Sequence, residues 1–445
     1  MRIIVDTGDY FYSNAGDLAM LQVSVERLRE LWPEASIEVI TRDPAGLARY
    51  CPGTRPLSWR GRDIWLNCEL LPHRVARLLP RSLRTPSQLR RQSPRLHASA
   101  LRTRLRLTGV DAKEFEEFFA ALEGADLFVL TGAGGFTDHT VGWDHPVLET
   151  LAYAHDRGIL TAIFGQGFGP LSDRRTLDRA KEVLPRVPLI ALRERLTSMP
   201  VLDAMGVSDE RILITGDDAV SKAYAAAPAQ LGDGLGVNLR VAKSSGFSPQ
   251  FIGQLRPVLQ SLSERFAAPM VPVPIARPGD SDAIRELLTG IDDESDGGQS
   301  LDSPDAVIAQ VGRCRTLITG AYHAAVFALS QGIPVVALVK TPYFRGKMTG
   351  LADQFGAGCE VVSLTDRAAP EHVAAAALRA WTNADVLRPT LLDAASRQAL
   401  ASHEAYQKLA RIYRRRKASP GRRALIDWNR TPSRGNTPVR PAERV

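Results

Sequence analysis

Short apolar runs alternate with amphipathic stretches along most of this chain, and that alternation constrains the fold more than any other feature. Each run ends near a glycine or a polar residue, and a stretch with apolar side chains at helical spacing follows it. Strands that alternate with helices form parallel sheets that are covered on both faces. The sequence therefore predicts an α/β protein.

The alternation falls into two series, which a linker rich in small residues over 221–234 separates. We expect two Rossmann-like domains, over 1–225 and 234–366, that face each other across a cleft. Helices over 367–417 are expected to cross back and brace the first domain. The predicted strands are 2–6, 36–41, 126–131, 159–164, 188–193 and 211–216 in the first series, and 235–240, 270–276, 316–320, 334–339 and 359–364 in the second.

Two basic segments stand out in a chain whose formal net charge is +7. An insertion over 72–107 carries ten arginines and no acidic residue, and residues 408–445 carry twelve Lys or Arg against two acids. Each segment is either a solvated basic stretch or a contact surface for a polyanion, such as an anionic membrane or an acidic glycan. Aromatic residues are nearly absent from both, so nucleic acid is a poor fit. We expect the tail 418–445 to be disordered.

Composition and cysteine usage predict the compartment. With 44% hydrophobic and 24% charged residues, the chain has the composition of a globular protein. Its four cysteines form no CxxC pair or zinc-type spacing, which favours a reducing environment and no metal. We see no secretory signal and no apolar run long enough to span a bilayer. We expect a cytoplasmic protein, with peripheral contact to the inner face of a membrane through the Arg-rich segments as a further hypothesis.

Glycine-containing turns follow three strands of the first series, at the edge where ligands of such sheets bind. Glycine allows a close approach of the backbone, and the N–H groups at a helix start suit an anion or a polar sugar. Asn and Asp are also ordinary helix caps, so that reading stays open. The candidate residues of these turns are Asn14, Gly16, Asp17, Gly134, Gly135, Asp138 and Gln166.

Cationic residues gather at the ends of later strands. Arg193 and Arg240 each end a predicted strand, and Arg345 and Lys347 follow another. His323 lies where a buried strand meets a buried helix, and is either a core histidine with a satisfied hydrogen bond or an acid–base group. A cationic edge around an imidazole suits an anionic substrate.

Four further residues stay ambiguous from the sequence. Asp217 and Asp218 in "TGDDAV" fit either a site or a turn with a helix cap. His139 and His145 flank "TVGWD" and either line the cleft or lie in a surface loop, the simpler reading.

The chain resembles the polysaccharide pyruvyl transferase family through an ordered set of motifs over about residues 1–360. The motifs are "NAGDLAM", "TGAGGFTD", "GQGFGP", "RERLTSMPVLDAMGV", "TGDDAV", "GVNLR" and "YHAAVFALSQGIPVVALVKTPYFRGK". The resemblance implies a two-domain fold like that of GT-B glycosyltransferases. It also implies transfer of pyruvate from phosphoenolpyruvate onto sugar hydroxyls as a ketal, with no metal or other cofactor.

The resemblance also implies roles for the candidate residues. His323 would be the general acid–base, since an imidazole titrates at about pH 6.5. The donor would be bound by Arg193, Arg240, Arg345 and Lys347, and the acceptor by the turn residues of the first series. One departure concerns the family's "S-R-x-H" arrangement, because Ala321 stands where the arginine is common. Either a neighbouring cation substitutes, or the donor differs, or transfer has been lost.

Two other functions fit the same sequence. One is a GT-B glycosyltransferase that uses a nucleotide sugar, and the other is a non-catalytic sugar-binding relative. A glycosyltransferase would place a carboxylate for the ribose soon after the helix that follows His323, where the sequence has Lys340, Arg345 and Lys347 before Asp353. The acceptor glycan and the oligomeric state stay open.

Overall fold

The structure, a computed structural model, describes residues 1–68, 70, 86–140, 142–240, 245–247 and 249–418. Two parallel sheets form its frame. The first contains β1 (Arg2–Asp6), β2 (Ser36–Thr41), β3 (Arg55–Ser58), β4 (Leu127–Leu130), β5 (Leu160–Gln166), β6 (Ile190–Leu192) and β7 (Ile212–Ile214), and the second contains β8 (Gly234–Asn238), β9 (Met270–Pro272), β10 (Cys314–Thr319), β11 (Val335–Val339) and β12 (Cys359–Ser363). Their orders are β3-β2-β1-β4-β5-β6-β7 and β12-β11-β10-β8-β9.

Helices cover both faces of each sheet, because nearly all central strand residues are buried and need apolar partners on either side. The helices of the first part are α1 (Ala15–Leu31), α2 (Pro44–Tyr50), α3 (Trp59–Asn67), α4 (Pro86–Gln92), α5 (Pro94–Thr108), α6 (Lys113–Glu123), α7 (Asp144–Asp156), α8 (Arg174–Val183), α9 (Ser198–Ala204) and α10 (Ala219–Ala225). Those of the second part are α11 (Pro249–Phe266), α12 (Gly279–Leu288), α13 (Pro304–Val311), α14 (Tyr322–Ser330), α15 (Pro342–Phe355), α16 (Ala369–Thr382) and α17 (Ala384–Ala418).

This architecture confirms the predicted α/β fold with two Rossmann-like units. The strands predicted from apolar runs are all present, with bounds that differ by a few residues. Strand β3 was not predicted, because its residues Arg55 and Pro56 are exposed and it pairs with β2 at the edge of the described sheet. Its apolar signal is therefore reduced to Leu57.

The Arg-rich insertion is partly visible. Residues 72–85 lie outside the described residues, whereas 86–107 form α4 and most of α5, which begin at Pro86 and Pro94. Proline is well tolerated in the first turn of a helix, so these prolines divide the segment rather than prevent helix formation.

Several arginines of the insertion bind acidic residues of the same half of the molecule. Arg90 and Arg91 both bind the buried carboxylate of Glu149, at 3.2 Å and 2.7 Å. Arg95 pairs with Glu123 at 3.2 Å. Several arginines in the described part of the insertion therefore form ion pairs with carboxylates of α6 and α7.

Helix α17 packs against both halves of the molecule. Leu391 and Ala395 near its start pack in the core that contains β10 and α14. Further along, the ring of Tyr406 stacks on Phe164 of β5, with centroids 3.8 Å apart. Asp218 accepts hydrogen bonds from the hydroxyl of Tyr406 at 3.0 Å and from Ser402 at 2.7 Å.

Residues 419–445, and with them almost all of the predicted disordered tail, lie outside the described residues. No helix in the described ranges is long and apolar enough to cross a bilayer.

Candidate active site

A cavity of about 300 Å³ lies between the two sheets, at the carboxyl ends of their strands. This is where parallel α/β sheets bind ligands. Both halves contribute to its wall, which is formed by Gly8, Asn14, Asp17, Ala133, Gly134, Gly135, His139, Trp143, Arg193, Arg240, Ile275, Ala321, Tyr322, His323, Tyr343, Phe344 and Lys347.

Direct hydrogen bonds hold the two walls of the cavity together. The backbone N–H of Ala15 donates to the carbonyl of Ile275 at 2.8 Å, and that of Arg277 donates to Ser13 at 3.0 Å. The hydroxyl of Tyr343 in α15 donates to the carbonyl of Gly134 at 3.2 Å. The cavity is therefore a shared site of both sheets.

His323 enters the cavity from the first turn of α14, and its ring lies against the start of α1. A Cβ atom on Gly16 would fall 1.9 Å from His323 Cγ, so only glycine permits this contact. Nδ1 of the ring lies 3.9 Å from Asp17 Oδ1, and Nε2 lies 3.5 Å from Asp217 Oδ2. Within the described ranges Nε2 has no hydrogen-bond partner, and the buried carboxylate of Asp217 is the group that faces it.

Asp17 shares this part of the cavity with the imidazole. Desolvation raises the pKa of the Asp17 carboxyl, while His323 acts in the opposite direction. A carboxyl group whose pKa is raised and that faces an imidazole is suited to proton exchange.

Two cationic side chains converge on Gly134 from opposite walls. A Cβ atom on Gly134 would lie 2.6 Å from Lys347 Nζ and 2.7 Å from Arg193 Nη2. Arg193 is almost fully buried and its guanidinium lies 4.4 Å from the centroid of the Tyr322 ring. Nζ of Lys347 lies 4.3 Å from the centroid of the Tyr343 ring. Aromatic faces thus support both cations.

Lys347 is held in a cationic environment. Desolvation lowers the pKa of its ammonium well below the ordinary value, and the charge of Arg193 adds to that effect. A bound anion would offset both contributions, so the cavity favours a ligand with several negative charges.

Arg240 completes the cationic set from the second sheet. Its guanidinium lies 3.5 Å from Asp280 Oδ1. Asp280 is itself fixed, because its other oxygen accepts hydrogen bonds from Asn238 at 3.1 Å and from the backbone N–H groups of Ile275 and Ala276 at 3.0 Å. This arrangement orients Arg240 towards the cavity.

The structure brings together most residues that the sequence selected. Those in the cavity wall are Asn14, Asp17, Gly134, Gly135, Arg193, Arg240, His323 and Lys347. Gly16 lies behind the ring of His323 rather than in the wall.

Three selected residues point elsewhere, which corrects their expected placement. Arg345 donates to the hydroxyl of Ser363 at 2.7 Å, away from the cavity. Asp138 accepts hydrogen bonds from the backbone N–H and the hydroxyl of Ser172 at 2.7 Å and 2.8 Å. Gln166 is buried behind the glycine turn, where its carbonyl oxygen accepts from the N–H of Ala133 at 2.8 Å.

Other residues of the site were missed or left open by sequence reasoning. His139 is exposed yet lies at the cavity wall, with its ring 4.7 Å from Tyr343. His145 is not part of the wall and lies 3.2 Å from Arg175. The aromatic residues Trp143, Tyr322, Tyr343 and Phe344 lie beside selected motifs, but nothing in their spacing marks them as ligand contacts.

A metal centre is not evident in the part of the chain that the structure describes. No three His, Cys, Asp or Glu side chains there lie close enough together to hold an ion. That the reaction needs no metal stays a prediction.

Comparison with known proteins identifies a family for this arrangement. A family model described as polysaccharide pyruvyl transferase matches residues 14–339. The match includes the cavity residues from Asn14 to His323. A search of curated proteins gives no match.

Solved structures with a similar fold are distant in sequence. A putative UDP-N-acetylglucosamine 2-epimerase from Listeria monocytogenes aligns with a TM-score of 0.53 at 10% identity, over 93% of this chain and 97% of that one. A UDP-GlcNAc 2-epimerase from Neisseria meningitidis, bound to UDP-GlcNAc, aligns with a TM-score of 0.50 at 11% identity, over 92% and 100%. A UDP-glucose:anthocyanidin 3-O-glucosyltransferase in complex with UDP gives 0.50 at 10% identity, over 93% and 99%. These likenesses show a GT-B-like fold.

Proposed function

The chain belongs to the polysaccharide pyruvyl transferase family, and we propose from that premise that it transfers pyruvate from phosphoenolpyruvate onto sugar hydroxyls as a ketal. The family makes the protein a glycan-modifying transferase enzyme. The donor and the ketal rest on one observation in particular, which is the convergence of three cations and an imidazole on one small cavity.

The charges of the cavity match those of the proposed donor. Phosphoenolpyruvate carries a carboxylate and a phosphate on adjacent positions of a three-carbon frame. Arg193, Lys347 and Arg240 would bind these groups, and Lys347 would supply the positive charge that is missing at Ala321. The same cations would stabilise the departing phosphate.

His323 would deliver and accept the protons of the first addition. The imidazolium gives a proton to the methylene carbon of the donor, and the electrons of the double bond form the new C–H bond. The oxygen of a sugar hydroxyl then forms a bond to the electron-poor C2, and its proton passes to the neutral imidazole. The product is a tetrahedral adduct that still carries the phosphate.

Loss of phosphate completes the ketal. The C2–O(phosphate) bond breaks and its electron pair leaves with the phosphate, while the oxygen of a second hydroxyl bonds to C2. The proton of that hydroxyl leaves with the phosphate as hydrogen phosphate. The imidazolium that the first hydroxyl regenerated stays available for the next donor. Asn14, Asp17 and Gly135 of the first wall would face the acceptor.

A direct assay tests this proposal. The purified protein is incubated with phosphoenolpyruvate and a panel of nucleotide-linked, lipid-linked and free glycans, and products are analysed by mass spectrometry with a parallel phosphate assay. We expect equimolar pyruvyl ketal and phosphate, and loss of both with His323→Gln. Glycosyl transfer from a nucleotide sugar, with no ketal from any acceptor, would favour the rival glycosyltransferase instead.

Contact with an anionic membrane surface remains an additional hypothesis. Arg411, Arg414 and Arg415 near the end of α17 are exposed, as is Arg106 of α5. Sedimentation with vesicles that contain phosphatidylserine tests it, since charge-reversing variants of these residues should abolish binding at physiological salt. Unchanged sedimentation of those variants would reject this surface.

A further inference from the structure

The imidazole of His323 lies between two carboxylates, but only one of them belongs to the cavity. Asp17 is part of the cavity wall and lies 3.9 Å from Nδ1. Asp217 lies 3.5 Å from Nε2, and its side chain is fully buried behind the ring. The two ring nitrogens therefore have different environments: Nδ1 lies beside Asp17 of the cavity wall and Gly16 of α1, and Nε2 is buried beside Asp217.

On the Nε2 side of the ring, two buried polar atoms face each other. Both His323 Nε2 and Asp217 Oδ2 are buried, and neither has a hydrogen-bond partner among the described residues. An unpaired buried carboxylate oxygen is costly, and the imidazole is the donor facing it. A small rotation of either group converts their 3.5 Å contact into a hydrogen bond from Nε2–H to Oδ2.

Asp217 is well placed to act as a fixed acceptor. Its other oxygen, Oδ1, accepts a hydrogen bond from the backbone N–H of Ala219 at 3.0 Å, at the start of α10. The carboxylate is thus held by the first half of the molecule, while His323 belongs to the second. Gly16 supports the same ring from α1.

We propose that Asp217 is a positioning residue that keeps the His323 proton on Nε2, so that Nδ1 is the atom that exchanges protons with the substrate. This inference rests on the proposed function of His323 as the acid–base. In the neutral ring Nδ1 then carries the lone pair that accepts the hydroxyl proton. In the imidazolium the proton on Nδ1 is the one given to the donor carbon, and Nε2–H stays bound to Asp217 throughout.

The other groups around the ring fit this assignment. Asp17 lies on the Nδ1 side, and the cations Lys347 and Arg193 belong to the same cavity. Tyr322 packs edge-on against the ring at 5.3 Å between centroids. Nδ1 therefore lies on the side of the Asp17 carboxyl, which belongs to the cavity wall, whereas Nε2 faces Asp217.

The tautomer can be measured directly in the wild-type protein. Long-range ¹H–¹⁵N correlation spectra of ¹⁵N-histidine-labelled protein report which ring nitrogen carries the proton, and His323→Gln assigns the signal. We expect the neutral ring to be the Nε2–H tautomer. In Asp217→Asn we expect a mixture of tautomers or the Nδ1–H form. A neutral wild-type ring protonated at Nδ1 would overturn the proposal, and this result does not depend on whether Asp217→Asn folds.

Kinetics give a second readout that a purely structural role would not reproduce. Asp217→Asn is expected to lower kcat by about 100-fold, because the His323 ring loses its preferred tautomer. KM for the donor should stay within about threefold, because the groups that bind the donor are unchanged. The matched control is Asp218→Asn, the adjacent buried aspartate that bonds Ser402 and Tyr406 instead. Equal kcat in the two variants would refute the positioning role. If the wild type transfers no pyruvyl group, the proposed function fails, while the tautomer still decides this inference.

Discussion

Replacing Gly16 with alanine should disable the site with little effect on the fold. The added Cβ would lie 1.9 Å from His323 Cγ and 2.1 Å from Nδ1. Ordinary contacts begin at 3.4 Å, so the ring must move by about 1.5 Å, the difference between 3.4 Å and 1.9 Å. A displacement of about 1 Å in a reacting group is enough to cost roughly 100-fold in rate.

The same substitution should have a moderate effect on stability. Overpacking of this kind typically costs about 1–3 kcal/mol, because the surrounding helices shift only partly. We therefore expect Gly16→Ala to lower the unfolding temperature by a few degrees, with kcat for pyruvyl transfer down by about 100-fold. The affinity for phosphoenolpyruvate, measured by calorimetry, should change much less, because Arg193 and Lys347 stay in place.

Gly253→Ala is the matched control for this prediction. Gly253 lies on the exposed side of α11, and a Cβ there would meet no atom within 4 Å. Alanine in the interior of a helix should stabilise the protein by about 0.5–1 kcal/mol and leave kcat unchanged. Wild-type activity of Gly16→Ala would refute the reasoning, since the ring of His323 could not then rest on α1.

Three further outcomes follow from the charges of the structure. Lys347→Met should weaken phosphoenolpyruvate binding at least tenfold in calorimetry. In the wild type, binding should take up protons in the pH range where Lys347 is partly neutral, because a bound anion favours the charged ammonium and so counters the desolvation that lowers its pKa. Affinity should fall as the pH rises, and heats that do not depend on buffer ionisation would contradict this. Burial opposes ionisation of Glu149, but Arg91, Arg179 and Arg90 outweigh it and lower its pKa to about 2. Glu149→Gln should therefore cost about 3 kcal/mol of stability at pH 7, a loss that shrinks as the pH falls from about 4.5 towards 2 in denaturant titrations; a pH-independent loss would refute it.

The fold was predictable because its signal is local. Apolar runs long enough to be buried on both faces appear in the sequence wherever the structure has a central strand. Strand β3 was not predicted, because Arg55 and Pro56 are exposed at the edge of the sheet and the strand therefore lacks a continuous apolar run. The prolines at the start of α4 and α5 each occupy the first turn of a helix, so they divide this segment into two helices.

The site was less predictable, since side-chain direction depends on tertiary contacts. Arg345 and Lys347 are two positions apart in α15 and so project to nearly opposite sides of the helix, which allows only one to reach the cavity. The carboxylate of Asp138 accepts hydrogen bonds from Ser172 in a neighbouring loop. The contact of Asp217 with His323 joins residues from different sheets, and no local pattern in the sequence reports it.

The most direct test of the central claim is a thermal unfolding titration of the wild-type protein with phosphoenolpyruvate, beside UDP-GlcNAc and UDP-glucose. A ligand at 100 times its dissociation constant stabilises the native state by about 2.7 kcal/mol, which is a shift of a few degrees. We predict that phosphoenolpyruvate alone produces this shift and that Lys347→Met reduces it by about half or more, since a tenfold weaker ligand at the same concentration contributes only about 1.4 kcal/mol. Stabilisation by a nucleotide sugar, with no response to phosphoenolpyruvate, would contradict the proposed donor.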